Sequence, residues 1–416
     1  MADNVLARRL NLGDAVFIGI GSMIGAGVFA VFAPAAAAAG AGLLIGLGIA
    51  AVVAFGNATS SAQLAAVHPT SGGTYAYGRA ELGEWWGFLA GWGFVVGKTA
   101  SCAAMALTFA AYAVPAPWQQ PVAAAAIAAL VVVNLLGVTR TAQLTRIVVA
   151  IALLALAVAV AAAIGAPVHS GWQPGELVDA GAYGILQSAG LIFFAFAGYA
   201  RIATMGEEVR DPQRTIPRAI VLAFVGALVV YAAVAVTVLW VLGPAGTAAA
   251  ADPVAAAVAV SGWTWAEPLV RIGAVAASLG ALLALIAGIG RTTFAMARQG
   301  DLPRLLAAVH PRTRVPHRAE LAAAAVAIGL VLLIDLRGAI GFSSFGVLLY
   351  YLIANVSALH QKGAARRYPR ALQVVGAIGC AVLAFTLPWQ SVIGGVAVFA
   401  VGIIYRSVRL RVTKGT

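Results

Sequence analysis

Apolar stretches long enough to cross a bilayer recur along the whole chain, separated by short polar turns, and no long polar segment comes between them. About 20 apolar residues in helical form traverse the roughly 30 Å hydrocarbon layer. Twelve segments qualify: residues 14–38, 41–66, 85–112, 119–137, 144–165, 183–206, 217–242, 267–297, 319–335, 338–359, 371–387 and 389–406. The runs are continuous rather than alternating, which excludes a barrel and leaves helices to satisfy the backbone in lipid. The pattern predicts one all-α integral membrane domain over residues 1–416. Pro388 and Trp389 must supply the whole turn between the last two segments. The start, MADNVLARRLNLGD, is polar and leads into the first segment without a small-residue cleavage site, so no removed signal peptide is expected.

Composition agrees, since 62% of the 416 residues are hydrophobic and 10% are charged, against about 25% charged in soluble domains. The net charge of +12 would suggest nucleic acid in a soluble protein. Here it follows from topology. With a cytoplasmic N-terminus, the twelve segments put all but four of the 26 basic residues in inward loops and tails. Arg271 and Arg337 lie at the outer edge, and Lys98 and Arg201 fall inside the bilayer. The outer side also holds Glu176, Asp179, Asp252, Glu267 and Asp335. This asymmetry is the positive-inside rule, and it predicts a multi-pass protein of the cytoplasmic membrane with both termini inside. No nucleic-acid partner is needed, and oligomeric state is not legible.

Cys102 and Cys380 lie within apolar runs and show no disulfide or metal spacing. All five histidines fall in loops or at segment ends. No cofactor, metal centre or enzyme active site is expected. A channel would show a filter or gating charges, and neither is visible. A non-transporting membrane sensor stays open as an alternative of another class.

The first segment contains GIGSMIGAGVF, with Gly19, Gly21, Gly25 and Gly27 crowded together. Glycine costs about 1 kcal/mol in a helix interior relative to alanine, so the cluster argues for an interrupted helix. Packing is the bland alternative, because Gly21 and Gly25 form a GxxxG pair. The sixth segment carries a matching feature, FFAFAGYARIATMGEEVRDPQRTIPRAI, with Gly198 in mid-membrane. Each interrupted segment leads a block of five, which is the pattern of inverted five-helix repeats. Unwound backbone there exposes amides that attract a carboxylate and carbonyls that hold an ammonium. An amino acid's zwitterionic head needs both.

At these residues the chain resembles the amino acid–polyamine–organocation superfamily. GIGSMIGAGVF is similar to its glycine signature, and HPTSGGTYAYGRAELGEWWGFLAGW to its first cytoplasmic loop. FFAFAGY followed by EEVRDPQRTIPRAI, and RTTFAMARQGDLPRLLAAVHPRTRVPHRA, resemble its sixth segment and the end of its eighth. The resemblance covers roughly residues 10–360. It implies a leucine-transporter-type 5+5 fold with two additional helices: repeat one over about 14–165, repeat two over about 183–359, and accessory helices over about 371–406. It also implies amino acid transport by alternating access, without fixing the substrate. Carried over residue by residue, backbone around Ser22, Met23, Ile24, Gly25, Ala26 and Gly27 would cradle the carboxylate. Carbonyls around Phe194, Ala195 and Ala197, beside Gly198, would receive the amino group, and Phe194 matches an aromatic gate.

Two departures concern coupling. Many members carry an acidic residue where this chain has Ala200, and proton-coupled members often carry a lysine where the best match puts Ala152. The charges left inside the membrane are Lys98 and Arg201. Lys98 lies about 20 Å along a helix from Trp85, too deep for simple snorkelling, and a buried charge at about 2.5–3.5 kcal/mol marks a functional site by default. It could carry a coupling proton, or stand as a permanent charge in an exchanger without a coupling ion. With two cations and no carboxylate in the interior, neutral amino acids are expected first, acidic ones second, and basic amino acids or polyamines last.

Overall fold

The computed structural model describes residues 10–68, 72–137, 142–166, 174–199, 202, 205 and 209–414. Their elements are helical apart from one isolated parallel bridge between Leu10 and Val209. Among the described residues, ten helical stretches are long and apolar enough to cross a membrane, and Arg370–Thr386 is a shorter apolar helix. The protein is a multi-pass, all-helical membrane protein.

Helix α1 (Leu12–Met23) starts on a capping box. The Asn11 side chain accepts from the Asp14 amide at 2.9 Å, and the Asp14 carboxylate accepts from the Asn11 amide at 3.1 Å, so two orphan donors of the first turn are satisfied. The helix stops at the glycine cluster. Residues 24–26 are not helical, and the path resumes as α2 (Gly27–Ala30) and α3 (Phe32–Ala39). Gly40, at φ 55°, turns the chain into α4 (Leu43–Val67), a backbone region that glycine enters without steric cost.

The short α5 (Gly73–Leu82) precedes α6 (Glu84–Ala113), α7 (Gln119–Leu135) and α8 (Ala142–Ile164). Next comes α9 (Gly181–Phe196), which ends in a tight turn at Ala197–Tyr199. Pro212 opens α10 (Pro212–Ala249), whose helical path is broken at Gly243. Then follow α11 (Pro253–Val260), α12 (Glu267–Arg298), α13 (His317–Leu333), α14 (Leu336–His360), α15 (Arg370–Thr386) and α16 (Trp389–Lys414).

α6 sits at the centre and packs on α12, α14, α5 and α7, while α4 packs on α9, α10 and α15. Phe29, Phe32, Phe193, Tyr231 and Tyr351 are fully buried between them. Leu154, Val229, Ile272, Phe385 and Ile404 are exposed on the outside, where the surrounding solvent is hydrocarbon rather than water.

The two ends of the bundle differ. At the end carrying the 300–316 loop, Asp301 pairs with Arg79 at 2.9 Å and with Arg406. The Tyr75 hydroxyl donates to Asp301 at 2.8 Å. Burial, helped by the Asp301 carboxylate, raises the Tyr75 phenol above its usual range, so it stays a donor. The Arg406 guanidinium lies over the Trp85 and Phe88 rings, 5.0 and 4.8 Å from their centroids. At the same end Asp14 pairs with Arg146, and the Arg210 amide donates to the Leu10 carbonyl at 2.9 Å. The opposite end holds a cavity of about 530 Å³, lined among others by Ala33, Pro34, Leu107, Ala111, Gln120 and Arg337.

Candidate functional site

The two interruptions expected from the glycines are present, and they touch. A Cβ on Gly198 would collide with the Ser22 carbonyl and lie 2.6 Å from the Met23 amide nitrogen. The turn after α9 therefore rests backbone to backbone on the end of α1, at a spacing only glycine allows. A Cβ on Gly27 would lie 2.7 Å from the Ala195 Cα, which repeats the close approach on the other side of the break. Gly25 faces the Ala281 methyl of α12, and Gly21 faces Val149 of α8. The glycine cluster thus both interrupts the helix and packs it.

The open backbone between these breaks carries hydrogen bonds from three side chains. The Tyr231 hydroxyl, from α10, reaches the Met23 carbonyl at 2.6 Å and the Ala195 carbonyl at 2.9 Å. Lys98 Nζ, from α6, donates to the Ala197 carbonyl at 3.3 Å. The Tyr351 hydroxyl, from α14, donates to the same carbonyl at 3.3 Å. The Phe194 carbonyl accepts from the Ala197 amide. Aromatic rings line the breaks in two groups: Phe196 meets Tyr231 at 5.0 Å, while Tyr351 meets Tyr199 at 5.0 Å and Phe193 at 5.9 Å.

The residues singled out in the sequence are largely brought together here. Met23, Ile24, Gly25, Ala26 and Gly27 are buried on one side, and Phe194, Ala195 and Ala197 on the other. Gly198 joins them, and Ser22, whose hydroxyl donates back to Ile18 at 2.8 Å, borders the break. Lys98 is 8% exposed and points at the same break. Arg201 and Ala200 lie outside the described residues. Ala152 is buried in α8. One difference bears on chemistry: the Ala195 and Ala197 carbonyls, expected to receive an amino group, already have donors within the protein.

Tyr231 and Tyr351 were not foreseen. The available signal was the hydroxyl of a tyrosine deep in an apolar run, which needs a partner when buried. A buried polar network also went unread: the Ser60 hydroxyl donates to Asn355 at 2.7 Å, and the Asn355 amide to Asn57 at 2.6 Å. It fastens α4 to α14.

A protein with paired broken helices meeting in mid-bundle has the build of a membrane carrier. Its sequence matches the amino acid permease family over residues 14–416, and the chain belongs to that family. An uncharacterized transporter of Mycobacterium tuberculosis is 59% identical over 409 residues, spanning 98% of this chain and 93% of the relative. A branched-chain amino acid permease of Bacillus subtilis is 25% identical over 431 residues, 96% of this chain and 92% of that one. A vacuolar cationic amino acid transporter of Arabidopsis thaliana is 30% identical over 379 residues, 85% of this chain and 60% of that one. The resemblance read from the four sequence blocks is borne out, and the protein is a transporter rather than an enzyme.

Proposed function

We propose that the protein is a secondary active transporter or exchanger that moves amino acids across the cytoplasmic membrane by alternating access. In this reading twelve helices cross the membrane, with both termini inside. Residues of about 14–165 and 183–359 form the inverted five-helix repeats, and those of about 371–406 the accessory pair. α13 and α15, at 17 residues each, are at the short end of the crossing range. The observation that carries the reading is the backbone contact between the two breaks at Gly198 and Ser22, deep in the bundle. Backbone around Ser22 to Gly27, past the Ile24 amide that donates to the Ile20 carbonyl, then cradles a carboxylate; carbonyls around Phe194, Ala195 and Ala197 receive an amino group in place of Tyr231, Lys98 and Tyr351; and Phe194 covers the bound substrate.

Neutral amino acids are the favoured cargo, acidic ones the next, because Lys98 puts a positive charge at the site and no described carboxylate pairs with it. The kinship to the branched-chain permease supports neutral cargo, whereas the cationic relative speaks for the basic amino acids ranked last. For coupling, Lys98 either carries a proton or stands as a permanent charge in an exchanger without a coupling ion. A thermal-shift screen of the purified protein tests the substrate, since a ligand that binds only the native state raises its stability. Leucine or alanine should raise the melting temperature most. A larger shift with arginine or putrescine overturns the order, and no shift with any amino acid counts against amino acid binding altogether.

A further inference from the structure

The Ala197 carbonyl lies at the break in the sixth membrane segment, just past the end of α9, and it is doubly occupied. A backbone carbonyl has two lone pairs, and here Lys98 Nζ and the Tyr351 hydroxyl each hold one at 3.3 Å. Both contacts lie at the long, weak end of the hydrogen-bond range. Such bonds exchange readily. Lys98 is more than nine-tenths buried, and no carboxylate among the described residues pairs with it. Its ammonium therefore relies on the carbonyl end of a broken helix, where the aligned peptide dipoles favour positive charge.

A substrate's amino group is an ammonium too, and it has the same reason to seek that carbonyl. The two cannot hold it together, because both lone pairs are spoken for and two like charges would meet in a buried site. We propose that Lys98 is a tethered ammonium that trades places with the substrate's amino group at the Ala197 carbonyl. When substrate binds, the flexible four-carbon stem lets Lys98 turn to the substrate's carboxylate, which neutralises it. When substrate leaves, Lys98 returns and restores a positive charge at the carbonyl end of the broken helix, beside the Tyr351 hydroxyl that stays on the same carbonyl. The carrier can then close and reorient without cargo, so it supports net transport as well as one-for-one exchange. The proposal rests on the transport reading above.

Full-length protein in liposomes tests it with radiolabelled leucine, alanine and glutamate. Wild-type counterflow comes first, and its absence for all three overturns the transport reading and this proposal with it. Where counterflow is present, net efflux into amino-acid-free buffer is compared with exchange against unlabelled amino acid. Lys98→Met should lower net efflux at least tenfold more than it lowers exchange. Lys98→Arg should recover the wild-type ratio of the two fluxes. Lys98→Gln, a polar and uncharged replacement, should show the same split as Lys98→Met and serves if that variant inserts poorly. Parallel loss of both fluxes, or an unchanged ratio, overturns the proposal while leaving transport standing.

Discussion

Removing one oxygen atom should loosen the contact between the two breaks. The Tyr231 hydroxyl lies 2.6 Å from the Met23 carbonyl and 2.9 Å from the Ala195 carbonyl, and the residue is 1% exposed. One hydroxyl carries one proton, so the two carbonyls share a single donor. Tyr231→Phe keeps the ring and its 5.0 Å contact with Phe196 but leaves both carbonyls without that donor in a dry interior. An unsatisfied buried polar group costs about 1–3 kcal/mol, and a change of that size shifts a conformational equilibrium about 5–150-fold. The bridged arrangement should become that much rarer, and counterflow in liposomes should slow by a factor in that range at equal protein insertion. A Tyr231→Phe rate within twofold of wild type would refute the reasoning, because the bridge would then hold nothing that the cycle needs.

Gly198→Ala should abolish uptake while the protein still inserts, since the new methyl collides with backbone at Ser22 and Met23 rather than with a movable side chain; Gly25→Leu or Gly27→Leu should do the same, and wild-type uptake in these variants would reduce the glycines to packing. Asp301→Asn should lower the melting temperature more than Arg406→Met, because Asp301 serves both Arg79 and Arg406 and stripping one partner from a buried pair costs about 3–5 kcal/mol; equal melting temperatures would contradict it. Single cysteines placed in residues 300–316 should react only with reagents that reach the cytoplasm, a clean test because the native Cys102 and Cys380 are both buried; labelling from outside would overturn the topology.

The sequence made these features legible in unequal measure. Helix existence was clear because lipid forces each crossing to announce itself as a long apolar run. The breaks were legible because glycine is costly inside a helix, so Gly25, Gly27 and Gly198 stood out. Lys98 stood out for the same kind of reason, as a charge where charge is expensive. Its partner did not, because Ala197 acts through a main-chain carbonyl that every residue possesses. Tyr231 and Tyr351 were hidden among aromatic residues whose apolar rings suit a membrane helix equally well. The Asp301–Arg406 pair joins residues 105 apart in sequence. Positive-inside counting read Arg406 as a marker of sidedness and was silent on its burial between Trp85 and Phe88. Position along a segment gives depth in the membrane, whereas partners depend on how helices rotate and pack.

Counterflow of radiolabelled amino acid into liposomes preloaded with the unlabelled form tests the central claim most directly. A carrier predicts transient accumulation of label above equilibrium, saturable with outside concentration and largest for the amino acid that most stabilises the purified protein. Label that only equilibrates, at a rate proportional to concentration, or that does not enter at all, would contradict a carrier built on the broken helices around Gly25 and Gly198.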